Sequence, residues 1–278
     1  MRHVAAAKLM SSWTIAGRPQ PGTAIPPAVL VLAEGRMLEP IWENELGGLT
    51  YRLTGGGSDE YVKWQPAGTG IDLDTEIRRL RWAIDYLAVP QLLGHGSDAD
   101  GAWLISRGLP GASAVDPRWT RDPATAAAAI GRGLRIMHDT LPVAACPFSW
   151  SADDRLAEVR ERAGAGLLDP TKWSPEHRGL DVADALRLLQ QRPPVDELVV
   201  CHGDACAPNT LLNEDGTFAA HVDLGSLGLA DRWADLAVAT WSTTWNYGPG
   251  WESVVLDGYG IDPDPVRIAY YRLLWDLG

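Results

Sequence analysis

The sequence predicts an α+β protein in two lobes: a small antiparallel sheet carrying one helix, then a larger, mainly helical part. Three observations carry this. Alternating apolar runs bounded by glycine turns follow residue 40, and capped helix-period patterns dominate beyond Pro110. The third is the stretch Cys201–Gly225, "CHGDACAPNTLLNEDGTFAAHVDLG", which reads as a hairpin loaded with polar side chains. Residues 1–40 are expected to form a loose N-terminal arm, 41–107 the first lobe and 108–278 the second, with the boundary near Arg107–Pro110.

The arm is rich in Pro, Gly and Ala and lacks the uninterrupted apolar core of a secretory signal. From Leu46, "LGGLTYRLT" leads a glycine pair into an alternating strand, "GGGSDE" turns, and "YVKW" forms a second strand. Next, "LDTEIRRLRWAIDYL" sets Ile77, Leu80, Ile84 and Leu87 on one helical face, with Asp74 or Thr75 as its cap. The apolar "AWLIS" is a further strand, and "RGLPG" breaks the chain.

In the second lobe, Asp122 caps and Pro123 opens a helix through "DPATAAAAIGRGLRIMHDTL", because proline tolerates the first helical position. "DVADALRLLQQ" is a helix stopped by Pro193 and Pro194, and "ELVVC" is a short buried strand. "DRWADLAVATW" and "PVRIAYYRLLWDL" are again helical.

Charge narrows the partners. The net charge is −12, and from Cys201 to Gly278 eleven Asp or Glu stand against three Arg and no Lys. That balance excludes nucleic acid and anionic membrane as partners, since both need a basic face. It leaves a cationic small molecule, or solubility alone, as its meaning. No apolar run is long enough to span a membrane, and three cysteines without CxxC spacing fit a reducing cytoplasm.

The hairpin stretch carries the chemistry. Folding about Asp215–Gly216 as a two-residue turn brings Asn209 and Asp223 roughly opposite each other. An amide oxygen beside a carboxylate suits a hard cation such as Mg²⁺ that keeps sites for water and phosphate. Asp204 then lies close to that ion without ligating it, where a base for a substrate hydroxyl belongs. Metal-assisted phosphoryl transfer is the reaction these residues suit. Cys201 and Cys206 also flank His202, but a cysteine–histidine nucleophile conflicts with the alternation of side chains along a strand. His221 reads as a packed strand histidine, His138 as a stabiliser of its helix end, and Asp235 as a helix brace.

His202, Gly203, Asp204 and Asn209 have the H-G-D-x-x-x-x-N spacing of the protein-kinase catalytic loop with Gly in place of Arg, and "VDLG" at Val222–Gly225 parallels the kinase D-F-G. This chain resembles the aminoglycoside phosphotransferase family, small-molecule kinases of bilobal protein-kinase-like fold, and its 3′-phosphotransferase branch in particular. The resemblance runs from about Glu45 to Gly278 and is strongest from Val199 onward. It implies Asp204 as catalytic base, Asn209 and Asp223 as Mg²⁺ ligands, and ATP or GTP as phosphoryl donor. It further implies Lys63 on the α- and β-phosphates, Glu76 as its ion-pair partner, and Gly47 and Gly48 in a loop over the phosphates. The backbone around Ser106 and Gly108 would receive the purine, and Asp231, Asp276 and Gly278 would meet a cationic aminoglycoside.

Three departures concern the acceptor. Ser226 follows "VDLG" where the branch carries Arg, Trp245–Asn246 stands where it carries an acidic pair, and "WDLG" ends the chain in place of "DELF". A kinase of the same fold acting on another hydroxylated metabolite or a macrolide stays open, as does a non-catalytic nucleotide-binding homologue.

Overall fold

The computed structural model describes residues 16–278. They divide into two compact units. One takes the described residues up to Arg81 together with Pro90–Gly108, and the other takes Trp82–Val89 and Leu109–Gly278.

The first unit is a six-stranded antiparallel sheet, β1 (Ala16–Gly17), β2 (Met37–Asn44), β3 (Leu49–Thr54), β4 (Glu60–Pro66), β5 (Leu92–Ser97) and β6 (Gly101–Arg107), ordered β1-β2-β3-β4-β6-β5. Two helices accompany it, α1 (Pro27–Ala33) and α2 (Leu73–Ala83). The period-2 pattern works as expected in β3, where Leu49, Tyr51 and Leu53 are buried and alternate with half-buried polar residues.

The arm differs from expectation where it is described. Pro27 opens α1, and Val29 and Ala33 pack on Leu49, Tyr51, Leu53 and Val62, so this stretch is part of the core rather than loose. Residues 1–15 of the expected arm lie outside the described residues. Helix α2 also starts earlier than its expected cap. Asp72 accepts the N–H of Asp74 at 2.9 Å, and the helix ends at Ala83, leaving Ile84 exposed. Strand β5 was masked in the sequence by its glycines. Gly96 is there for a steric reason, since a Cβ would lie 2.7 Å from the Trp103 ring.

The second unit contains α3 (Pro117–Thr120), α4 (Pro123–Thr140), α5 (Ala152–Gly164), α6 (Val182–Leu189), α7 (Trp233–Tyr247), α8 (Glu252–Tyr259) and α9 (Pro265–Leu277). Its short strands are β7 (Ala112–Ser113), β8 (Leu198–Cys201), β9 (Thr210–Leu212), β10 (Phe218–His221) and β11 (Gly228–Asp231), arranged as β10-β9-β7 and β11-β8. Asp122 caps α4 by accepting the Thr125 N–H, as its sequence position predicts. Ile130 and Leu134 of α4, Trp233 and Leu236 of α7 and Leu274 of α9 share one core. Helices α4 and α8 approach so closely that a Cβ on Gly131 would lie 2.0 Å from the Val255 carbonyl oxygen. Among the described residues no helix is long and apolar enough to cross a membrane.

Candidate active site

Strand β8 delivers the polar loop. Val199, Val200 and Cys201 are buried, and the chain leaves the strand at His202, itself fully buried. The His202 N–H donates to Asp235 Oδ2 at 2.6 Å, and the Gly203 N–H donates to Asp235 Oδ1 at 2.9 Å. His202 Nε2 donates to the Val222 carbonyl at 2.9 Å, and its Nδ1 accepts the Asp204 N–H at 3.2 Å. The imidazole therefore supports the loop rather than carrying protons. Gly203 has φ +85°, and a Cβ there would sit 2.2 Å from the Ser226 carbonyl oxygen. A side chain at this position is excluded on both counts.

Asp204 is held at both carboxylate oxygens. Cys206 Sγ donates to Oδ1 at 3.1 Å and Asn209 Nδ2 donates to Oδ2 at 3.0 Å. Burial and the nearby Asp223 carboxylate push the Asp204 carboxyl above the usual carboxylate range.

The hairpin turns through three residues, Glu214–Gly216, rather than the expected two. Asn213 N–H donates to Thr217 O at 2.9 Å, Gly216 N–H donates to Asn213 O at 2.9 Å, and Gly216 has φ +81°. Such a turn needs one left-handed residue, which glycine supplies. The register sets Thr210 opposite His221 and ties Val222 N–H to Asn209 O at 3.0 Å, so Val222 lies level with Asn209 and Asp223 follows one residue further on, not directly opposite as expected. Asp223 itself has φ +61°, a conformation uncommon outside glycine.

The donor set fits a hard cation. The Asn209 amide nitrogen is committed to Asp204 O and Oδ2, so its oxygen is the atom for a metal. Asp223, after β10, and Asp204, before β9, repel each other, a cost that a divalent ion would relieve.

In the other unit Lys63 Nζ lies 2.7 Å from Glu76 Oε2, the ion pair that the resemblance implied. Asp74, expected as the cap of this helix, lies in its first turn with its N–H on Asp72. The glycine pair lies in the turn between β2 and β3. Leu46 and Gly48 N–H groups donate to Asn44 Oδ1, and the Gly47 N–H donates to Asn44 O. Gly47 is there for its φ of +77°, and Gly48 because a Cβ would lie 2.1 Å from Gln65 Oε1. Ser106 is buried in β6 opposite Tyr61. The Gly108 N–H donates to Asp59 O at 2.8 Å.

Two substrate expectations also require correction. Asp231 is 3% exposed and accepts the N–H groups of Asp196 and Trp233, so it braces the fold instead of gripping a ligand. Asp276 accepts the Ser174 N–H and lies 2.7 Å from His177 Nδ1, anchoring the end of α9. Gly278 is exposed. Trp245 packs against Trp241 and Trp275 with ring centroids 4.9 and 5.5 Å away, while Asn246 Nδ2 donates to the Ser242 carbonyl.

Sequence reasoning missed what Asp235 and His138 do. His138 is buried, with Nε2 3.0 Å from Asp235 Oδ2 and Nδ1 2.9 Å from the Tyr259 hydroxyl, so it does not serve its helix end. Burial raises the Asp235 carboxyl, but His138 and the loop amides outweigh that and hold it below the usual range. Burial pushes the thiols of Cys201 and Cys206 well above their ordinary value, which rules against either as a nucleophile.

The model of the phosphotransferase enzyme family (APH) matches residues 41–271. This chain belongs to that family. It is similar to an aminoglycoside 3′-phosphotransferase of Streptomyces ribosidificus, 35% identical over 245 residues, covering 84% of this chain and 92% of the relative. Among solved structures it is similar to an aminoglycoside-3′-phosphotransferase of type VIII, with TM-score 0.77, 29% identity, and coverage of 90% of this chain and 98% of that one. The aminoglycoside phosphotransferase APH(3″)-Id from Streptomyces rimosus, solved in complex with ADP and streptomycin, gives TM-score 0.71 at 28% identity, covering 90% of this chain and 96% of that one. The protein is a phosphotransferase of the kinase-like α+β fold, as its catalytic-loop motif implied.

Proposed function

We propose that this phosphotransferase moves the γ-phosphoryl group of ATP to a hydroxyl of an aminoglycoside, with the 3′ hydroxyl as the expected target and antibiotic resistance as the outcome. The observation that carries the reading is the loop itself: Asp204, Asn209 and Asp223 gathered by one hairpin, with both Asp204 oxygens oriented. Similarity to aminoglycoside phosphotransferases over most of the chain supports the acceptor class. The reaction is set in the cytoplasm, where ATP is available.

Each residue has a defined task. Asp204 orients the acceptor hydroxyl and takes its proton late, since the loose transition state of phosphoryl transfer needs little early deprotonation. Its raised affinity for a proton suits that step. Asn209 Oδ1 and the Asp223 carboxylate would hold Mg²⁺, which neutralises charge on the nucleotide phosphates. Lys63, steadied by Glu76, presents a fixed point charge to the α- and β-phosphates.

Purified protein with MgATP and a panel of kanamycin, neomycin and streptomycin should consume nucleotide, and Asp204→Ala should lower turnover by about three orders of magnitude or more while nucleotide still binds. Absence of turnover across the panel removes the acceptor claim. A same-fold kinase with another acceptor is the second reading. It is favoured by Trp245–Asn246, where the aromatic ring packs on Trp241 and Trp275 and no carboxylate is offered.

A further inference from the structure

Cys206 has an unusual neighbour for a thiol. Its Sγ donates to Asp204 Oδ1 at 3.1 Å. The residue after it is fixed in turn, since the Ala207 N–H donates to the Ser242 hydroxyl oxygen of α7 at 2.8 Å.

We propose that Cys206 is a positioning residue that fixes the rotation of the Asp204 carboxylate during phosphoryl transfer. The proposal rests on the reading of Asp204 as the base. Rotation of an aspartate carboxylate about its last torsion is soft. Asn209 alone pins one oxygen and leaves the group free to tilt, whereas donors on both oxygens define its plane. The remaining lone pairs then face a constant direction, toward the acceptor hydroxyl. A thiol suits the task because it is a weak donor and takes little basicity from the carboxylate. Burial and the Asp204 charge keep Cys206 protonated, and so a donor.

The test compares wild type, Cys206→Ala, Cys206→Ser and Asp204→Ala, in steady-state kinetics with MgATP and kanamycin and in thermal melting. It adds crystal structures of wild type and Cys206→Ala. Cys206→Ala should lower kcat about tenfold, as expected for losing a weak hydrogen bond to a charged group. Its KM values should stay within about twofold of wild type, its melting temperature should be unchanged, and Cys206→Ser should recover most of the rate. In the Cys206→Ala crystal the Asp204 carboxylate should be rotated or split over two orientations. An unrotated carboxylate, or a wild-type kcat in Cys206→Ala, overturns the proposal; the crystals decide it even where kanamycin is not turned over. Full turnover by Asp204→Ala would instead overturn the reading of Asp204 as base, so the two failures are distinguishable.

Discussion

The carboxylate of Asp235 accepts the backbone N–H of His202 at 2.6 Å, from a position 33 residues further along the chain. With its second oxygen on the Gly203 N–H and its first also on His138, this one buried side chain ties β8, α4 and α7 to the loop that carries Asp204. Asp235→Asn keeps the shape but turns a donor toward one of these N–H groups. It should lose about 3 kcal/mol of stability and at least tenfold in kcat. Urea unfolding and steady-state kinetics of the same preparation check both; an unchanged unfolding midpoint would contradict the bracing role.

Glu76 holds Lys63 on β4. Glu76 is buried, with 9% of its side chain accessible against 23% for Lys63, and glutamine in its place keeps the shape and an oxygen that accepts from Lys63 Nζ. Glu76→Gln should therefore leave the melting temperature nearly unchanged while raising KM for ATP about fivefold to tenfold. Titration with a nonhydrolysable ATP analogue reads the same weakening without turnover.

His221, buried beside His202 and Phe218, has its pKa pushed down to about 3, by burial first and by His202 second. An unfolded histidine titrates near about 6.5, so between those values the unfolded chain binds the extra proton. Stability from this group is complete above about pH 6.5 and falls as the pH drops toward 3. The protein should be about 2 kcal/mol less stable at pH 5 than at pH 7 through His221 alone. Urea titrations at the two pH values should show this difference, and His221→Phe should remove it.

Two glycines in helices should respond in opposite ways to alanine. At Gly131 of α4 the new methyl meets the Val255 carbonyl, and Gly131→Ala should destabilise by about 3 kcal/mol or more. At Gly164 of α5 nothing lies within 4 Å, and Gly164→Ala should stabilise by about 0.5 kcal/mol. Thermal melts of the two variants give the comparison directly.

What could be read from the sequence was local. The cap at Asp122 and the alternation in β3 each depend on residues within one turn or one strand. The hairpin was legible for the same reason, though its third loop residue was not, because Asp-Gly serves two-residue and three-residue turns alike. Helix α5 was overlooked because its thirteen residues are mostly charged and its apolar face is narrow.

The spacing of His202, Gly203, Asp204 and Asn209, with Asp223 after the turn, was determined by the sequence alone, and it was enough to indicate phosphoryl transfer. Only the tertiary structure decided which acids remain for a ligand. Asp231 and Asp276 are consumed by internal partners, Asp235 becomes the loop's anchor, and Cys206 becomes a donor to Asp204. The physical reason is separation: Asp276 meets His177 across 99 residues and His138 meets Asp235 across 97. Contacts of that span are set by how whole helices pack, which no short stretch of sequence encodes.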